Sequence, residues 1–254
     1  MTREIQVTVD QIPCLVIVSD ESQALLEAKA AGRAIIAVEE DGRTLPAAPY
    51  VVPNWEDVSL ELAELVARRH LGLPWTIGEG QRIVVRELVE RDRMDIPAEE
   101  KLSREEEMFR QEEGIRTYIK GQYPFWEFGV WALVRASDRR LVGLGGMTAP
   151  RLPWEFGEDL ENYRKQVQRQ NGWDVLELGY RIFAPYRRQG LGREACSLIL
   201  SYCHEVLRCR ACALIEEKNQ ASRCLAEGLG MECLSVRKTG TLSPERLLLF
   251  AEKC

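Results

Sequence analysis

The sequence predicts an α/β protein in two parts, a small β-α-β-α domain over residues 1–78 and a larger domain over 79–254 on a mixed sheet flanked by helices. Three observations carry this. Short runs rich in β-branched residues alternate with capped, helix-spaced stretches through the first 78 residues. The segment GLPWTIGEGQ, residues 72–81, has three glycines and a proline without apolar periodicity and reads as a linker. Beyond it, Phe128–Val134 and Leu141–Met147 flank the polar turn SDRR as a hairpin.

In the first part, Ile5–Val9 alternates and Cys14–Val18 is continuously apolar, so both read as strands. Asp20 is placed to cap a helix, with Gln23 as its capping-box partner and Gly32 just past the end. Ala34–Val38 is a buried strand, and EEDGRTLPAAP leads to a short run at Tyr50–Val52. Val58, Leu62, Leu65 and Val66 mark a second helix, which Gly72 and Pro74 stop. In the second part, Arg82–Glu87 is a strand, and Ser103 with Glu106 forms a capping box before an exposed amphipathic helix with Met108, Ile115 and Ile119. Residues 150–173 read as a polar insertion dotted with Trp154, Phe156, Tyr163 and Trp173, and Leu176–Phe183 as a strand.

Composition excludes several classes. With 45% hydrophobic and 29% charged residues the chain is a globular protein, not a disordered one. Its 34 basic and 40 acidic residues give a net charge of −6, which suits neither a general nucleic-acid binder nor an anionic-membrane binder. Apolar runs such as CLVIV and LLLFA fall far short of a membrane span of roughly 18 residues. The opening MTREIQVTVDQ is charged and alternating, so no secretory signal is expected, and the eight cysteines are expected mostly as free thiols in a reducing cytoplasm.

The segment LELGYRIFAPYRRQGLGREACSLILSYC carries the chemistry. A strand ends at Phe183, a turn holds Arg187-x-x-Gly190-x-Gly192, and a helix follows with the stripe Leu191, Ala195, Leu198, Ile199, Tyr202 and Val206. The glycines therefore sit at a helix N-terminus, where unpaired N–H groups attract phosphate and a missing Cβ lets backbone approach an anion; they can equally serve only to make the turn. The pattern is neither a Walker loop nor the dinucleotide fingerprint.

This segment resembles the acyl-CoA-binding signature of the GNAT superfamily of N-acetyltransferases, Arg/Gln-x-x-Gly-x-Gly/Ala. The resemblance covers about residues 82–254, through the strand IVVREL, the hairpin ending VGLGGM, the strand LELGYRI, the strand ALIEE, then Asn219, Ser222 and LAEGLGM. It looks most like the branch that includes ribosomal-protein N-terminal acetyltransferases. It implies a sheet whose fourth and fifth strands splay apart, with pantetheine against Tyr180, Arg181, Ile182 and Phe183. It also implies a pyrophosphate on the loop Arg188, Gln189, Gly190, Leu191, Gly192 and Arg193, aided by Arg187 or Arg188, and contacts from Asn219 and Ser222. Asn219 also suits an N-cap. Acetyl-CoA as acyl donor and an amine, on a small molecule or a protein N-terminus, are the implied partners.

Direct transfer needs a base for the ammonium and a proton for the departing thiolate. Glu177 is the first candidate base, with an ion pair as its alternative role, and Glu216 is the second. The tyrosine that relatives use as acid is absent, Ala226 standing in its place, which leaves Tyr180 or water. Trp154 is the preferred aromatic wall for the acceptor, and core or lid packing its alternative. Cys203, His204, Cys209 and Cys212 suggest zinc, but without a second matched knuckle and across a helix end no metal is expected. Cys14, Cys196, Cys224, Cys233 and Cys254 show no ligand or nucleophile context.

VSDESQALLEAKAAGRAIIAV loosely resembles half of a haloacid-dehalogenase-like Rossmann domain, but VTVDQIP supplies only Asp10 and no D-x-D nucleophile. The first domain is expected to be non-catalytic, with packing, homodimer formation or pocket cover as its roles. A non-catalytic acyl-CoA-binding or sensing module is the alternative reading of the whole.

Overall fold

The computed structural model describes residues 1–39, 45, 48–239 and 245–253. Most of the stretch EEDGRTLPAAP, and Cys254, lie outside the described residues. The chain divides into two compact units, Met1–Trp75 with Glu113–Glu127, and Thr76–Glu112 with Phe128–Cys254.

In the first unit, strands β1 (Thr2–Val9), β2 (Ile12–Ser19), β3 (Ala34–Val38) and β4 (Val51–Val52) form a sheet in that order, antiparallel between β1 and β2 and parallel thereafter. The two strands expected first are thus one hairpin, turning on Asp10 and Gln11 at φ 47° and 68°, the left-handed pair a two-residue hairpin requires. Helix α1 (Ser22–Ala30) covers one face through Leu25 and Ala28 against Ile17 and Ile35, and helix α2 (Leu60–His70) covers the other through Ala63, Val66 and Ala67 against Val16, Val18 and Ile36. Burial on both faces explains why Cys14–Val18 is continuously apolar. Asp20 does not cap α1: its carboxylate binds the Met1 ammonium, and Glu21 occupies the cap position with its side chain also on that ammonium, at 2.9 Å, and not on the helix. Ser59, whose oxygen accepts from Leu62 N–H at 3.0 Å, caps α2.

In the second unit an eight-stranded sheet runs β11-β12-β10-β9-β8-β7-β6-β5, from β5 (Thr76–Glu79), β6 (Ile83–Arg86), β7 (Val130–Arg135), β8 (Leu141–Thr148), β9 (Asp174–Ile182), β10 (Cys209–Glu216), β11 (Met231–Thr239) and β12 (Glu245–Glu252). Every pairing is antiparallel except β9 with β10. The segment 72–81, expected as linker, contributes β5. Its Gly78 is spare of side chain because a Cβ there would stand 3.2 Å from Leu198.

Two further expectations change. The capping box forms, Glu106 accepting from Ser103 N–H at 2.8 Å and Ser103 from Glu106 N–H at 3.1 Å, but it opens only a 3-10 turn, Glu106–Arg110, that extended Gln111 ends before helix α3 (Glu112–Trp126). Phe109 in that turn is buried. The polar insertion is mostly helix α4 (Gly157–Asn171), closed by Gly172 at φ 70°; Leu160, Tyr163 and Val167 pack on Val175 of β9 and Cys212 of β10.

Below the sheet's β6 end, Arg86 forks onto Asp92, both nitrogens at 2.8 Å, and Asp92 also accepts from Val89 N–H at 2.8 Å. Asp92 is almost wholly buried. Asp92→Ala strands the guanidinium and is expected to destabilise the protein by about 3–5 kcal/mol in denaturant titration, with Asp92→Asn recovering part of the loss.

Candidate active site

The site begins where two strands part. β9 and β10 pair from Asp174↔Cys209 to Glu177↔Cys212 and no further, while β9 stays paired with β8 as far as Ile182↔Gly143. One edge of residues 178–181 is therefore left without a strand partner. These are the fourth and fifth strands counted from β6, as the fold expectation has them. The wedge between them is a cleft of about 410 Å³ floored by Leu178, Gly179, Tyr180, Ala213 and Ile215, with Glu177 and Glu216 at its sides.

A second cleft, of about 640 Å³ and sharing Tyr180, Asn219 and Ser222, runs over the loop between β9 and helix α5 (Leu191–Glu205). Gly190 stands at the cap position with φ 76°, which favours glycine, and no side chain caps the helix. The first-turn N–H groups of α5 consequently border an open, arginine-lined cleft, the usual setting for a bound anion. Gly192 keeps the floor low: a Cβ there would stand 3.2 Å from the Tyr180 ring. Tyr180 and Ile182 thus face α5, and strand alternation turns Glu177 and Arg181 to the opposite face.

The structure brings most of the expected residues to these clefts: Tyr180, Arg181, Ile182, Arg187, Arg188, Gly190, Leu191, Gly192, Arg193, Asn219 and Ser222 line them. Phe183 and Gln189 do not. Phe183 is fully buried, its N–H spent on Val142 and its carbonyl on Tyr186 N–H, and Gln189 turns its amide to Pro185 O and its carbonyl to Arg82. Asn219 caps helix α6 (Gln220–Gly228), accepting from Ser222 N–H at 3.1 Å, and remains in the cleft wall. The Ser222 and Tyr180 hydroxyls are 3.2 Å apart.

Burial pushes the Glu177 carboxyl above the usual carboxylate range, an effect the Arg151 N–H at 3.3 Å opposes and Glu105 adds to. Burial likewise raises the Tyr180 phenol, partly offset by Ser222, so it stays protonated at neutral pH. Glu216 is exposed and ion-paired with Lys218 at 3.1 Å. Trp154 is 86% exposed, at the start of a 3-10 turn before α4. By contrast Trp131 is buried edge-on to Tyr202, and Trp173 stacks near His204.

Cys203 and Cys212 are buried thiols, Cys212 pushed up to about 12 by desolvation, and Cys203 donates to Cys209 O. His204 Nε2 lies 2.9 Å from Glu252. Among the described residues no group of three or more His, Cys, Asp or Glu is placed to hold a metal ion, and no helix is long and apolar enough to cross a membrane.

Sequence reasoning missed the bracing. Arg82, at the entry to β6, donates from Nε to Glu194 at 2.8 Å and from Nη1 to Gln189 O at 2.7 Å, while its N–H and that of Ile83 also bind Glu194. Glu100 and Glu106 reach Arg187, Ala184 and Arg181 from the segment after β6. These partners lie 75 to 112 residues apart in sequence, so no local pattern marks them.

The mixed sheet with its splayed fourth and fifth strands, flanked by helices, is the α/β architecture of an acetyltransferase domain. Residues 82–232 match the sequence profile of the acetyltransferase (GNAT) domain, and the chain belongs to that family. Among solved structures it is similar to the ribosomal-protein-S5-alanine acetyltransferase of Vibrio fischeri, 16% identical over 70% of this chain and 96% of that one, with a TM-score of 0.51. A GNAT-family acetyltransferase of Bordetella pertussis is 19% identical over 70% of this chain and 99% of that one, with a TM-score of 0.49. No match was found among curated protein sequences.

Burial alone would raise the Glu194 carboxyl, but the bonds from Arg82 and Ile83 hold it below the usual range. A depressed folded pKa contributes stability above the unfolded value that is lost as pH falls through the folded one. Glu194→Gln should therefore flatten the acid limb of a plot of melting temperature against pH, relative to wild type.

Proposed function

We propose that the chain is an N-acetyltransferase that moves an acetyl group from acetyl-CoA directly to a primary amine, on a small molecule or a protein N-terminus. The observation that carries the reading is the parting of β9 from β10 after Glu177, which joins a free strand edge to an uncapped helix N-terminus and sets a half-buried carboxylate at the junction. Acetyl-CoA would supply the activated thioester. The free edge at 178–181 suits the amide groups of pantetheine, and the amides of Gly190, Leu191, Gly192 and Arg193 suit its pyrophosphate.

The chain's own groups then divide the work. A free N–H of β9 holds negative charge on the carbonyl oxygen, a fixed donor with no reorganisation cost. Glu177 takes the proton of the incoming ammonium, directly or through water, with Glu216 as its substitute across the wedge. Tyr180, protonated at neutral pH, gives its proton to the leaving thiolate, the role that Ala226 cannot fill, and is reprotonated through water by the second proton that the acylated nitrogen releases. Trp154 offers an exposed aromatic surface to the acceptor's apolar part. Every residue in these roles follows position 150, so residues 1–78 are read as non-catalytic.

Glu177→Gln should keep acetyl-CoA affinity and slow transfer to an aliphatic amine by about 10²-fold, read by thiol release. Because the base works only when ionised and its pKa is raised, the wild-type rate should climb with pH above the ordinary carboxylate range, and this limb should vanish in the variant. Superimposable profiles would remove Glu177 as base. Acetyl-CoA binding without thiol release across amines and peptides would leave a binding module instead of an enzyme.

A further inference from the structure

We infer that Glu100 is a positioning residue for the anion-binding loop, and that Arg187, the arginine that opens the R-x-x-G-x-G pattern, is the tether of that loop and not a phosphate ligand. The effect on affinity rests on the acetyl-CoA reading above.

The Glu100 side chain is buried, 4% exposed, and both its oxygens are engaged. Oε2 accepts from Ala184 N–H at 2.9 Å, and Oε1 pairs with Arg187 Nη2 and lies 3.8 Å from Arg181 Nη1. Arg187 Nε meanwhile donates to Ile182 O at 2.8 Å. The guanidinium therefore spans the last residue of β9 and a carboxylate from a distant segment, closing a ring around the turn at Ala184–Tyr186. Glu100 is itself held from behind, since Arg110 donates to its carbonyl at 2.6 Å and to Pro97 O at 2.8 Å. The carboxylate is buried although the guanidinium is half-exposed, and a buried carboxylate stripped of its cation is costly, so the pair is a fixed element of the loop.

With Arg187 occupied this way, the phosphate contacts fall to its neighbours. Of the four arginines lining the larger cleft, Arg181 is paired with Glu106, and Arg193 donates to Gly228 O. Arg188, at φ 60°, has no hydrogen bond or ion pair among the described residues and is the cation left for an anion.

The test is a double-mutant cycle in the full chain, read by calorimetry with acetyl-CoA. Glu100→Gln and Arg187→Gln should each weaken binding by about 10-fold, and the double variant by no more than either alone, because each breaks the same tether. The KM for acetyl-CoA should rise with kcat at saturation little changed. Arg188→Gln should instead multiply with Glu100→Gln. Unchanged affinity in Glu100→Gln, or losses in Glu100→Gln and Arg187→Gln that multiply, would overturn the tether and make Arg187 a direct ligand. Hydrogen exchange of the unliganded protein separates this from failure of the functional reading. Faster exchange at 184–190 in either variant supports the tether even if wild type binds no acetyl-CoA, and unchanged exchange overturns it. In Arg187→Gln the carboxylate of Glu100 still faces Arg181 Nη1 at 3.8 Å, so this variant keeps both readouts if Glu100→Gln does not fold.

Discussion

The pairing of β9 with β10 stops at Glu177 and Cys212, and the rest of the site depends on that interruption. Up to this point the two strands share a core with α4, in which Val175 and Cys212 pack against Leu160, Tyr163 and Val167. Past it, β8 continues to hold β9 while β12 holds β10, so each strand keeps one partner and the gap opens between them. Backbone polar groups left unpaired in a protein interior are costly unless water or a ligand meets them. A free edge of this kind within an otherwise continuous eight-stranded sheet is therefore left to water or to a ligand.

Charge then fixes the loop that borders the gap. The glycines of the turn make close approach feasible, but they also make the turn soft, and glycine loses more freedom on ordering than any other residue. Two acid–arginine sets flank it: Arg82 with Glu194 at the helix side, and Glu100 with Arg187 at the strand side. Both draw on the region around and after β6. The opposite face of β9 carries a separate group, in which Arg181 meets Glu106 and Glu177 accepts from Arg151 N–H. The strand thus presents Tyr180 and Ile182 toward α5 and Glu177 with Arg181 on its other face.

Much of this was legible in the sequence where the signal is local. The stripe from Leu191 to Val206 gives α5, the Gly190 and Gly192 spacing gives its uncapped start, and Asn219 with Ser222 gives the cap of α6. The capping box at Ser103 and Glu106 formed as expected, yet it opened a 3-10 turn, because capping chemistry fixes a start and says nothing of length. α4 was hidden because Leu160, Tyr163 and Val167 are its few apolar positions among many polar ones. β5 was hidden by Gly78, which packing against Leu198 demands and which reads as a breaker. Asp20 was miscast as a cap because its competitor, the Met1 ammonium, lies 19 residues away and meets it only through the pairing of β1 with β2. The braces at Glu100 and Arg82 could not be read at all, since tertiary contact alone pairs them with the glycine loop.

Central to the proposed function is a donor held jointly by the free edge of β9 and the N-terminus of α5. A crystal structure of the full chain with CoA tests it most directly. The account predicts pantetheine amides within hydrogen-bond distance of backbone groups of residues 178–181 and the pyrophosphate on the N–H groups of residues 190–193, with Glu177 across the wedge from the thiol. Density for CoA elsewhere on the chain, with the edge of β9 closed or occupied only by water, would contradict it.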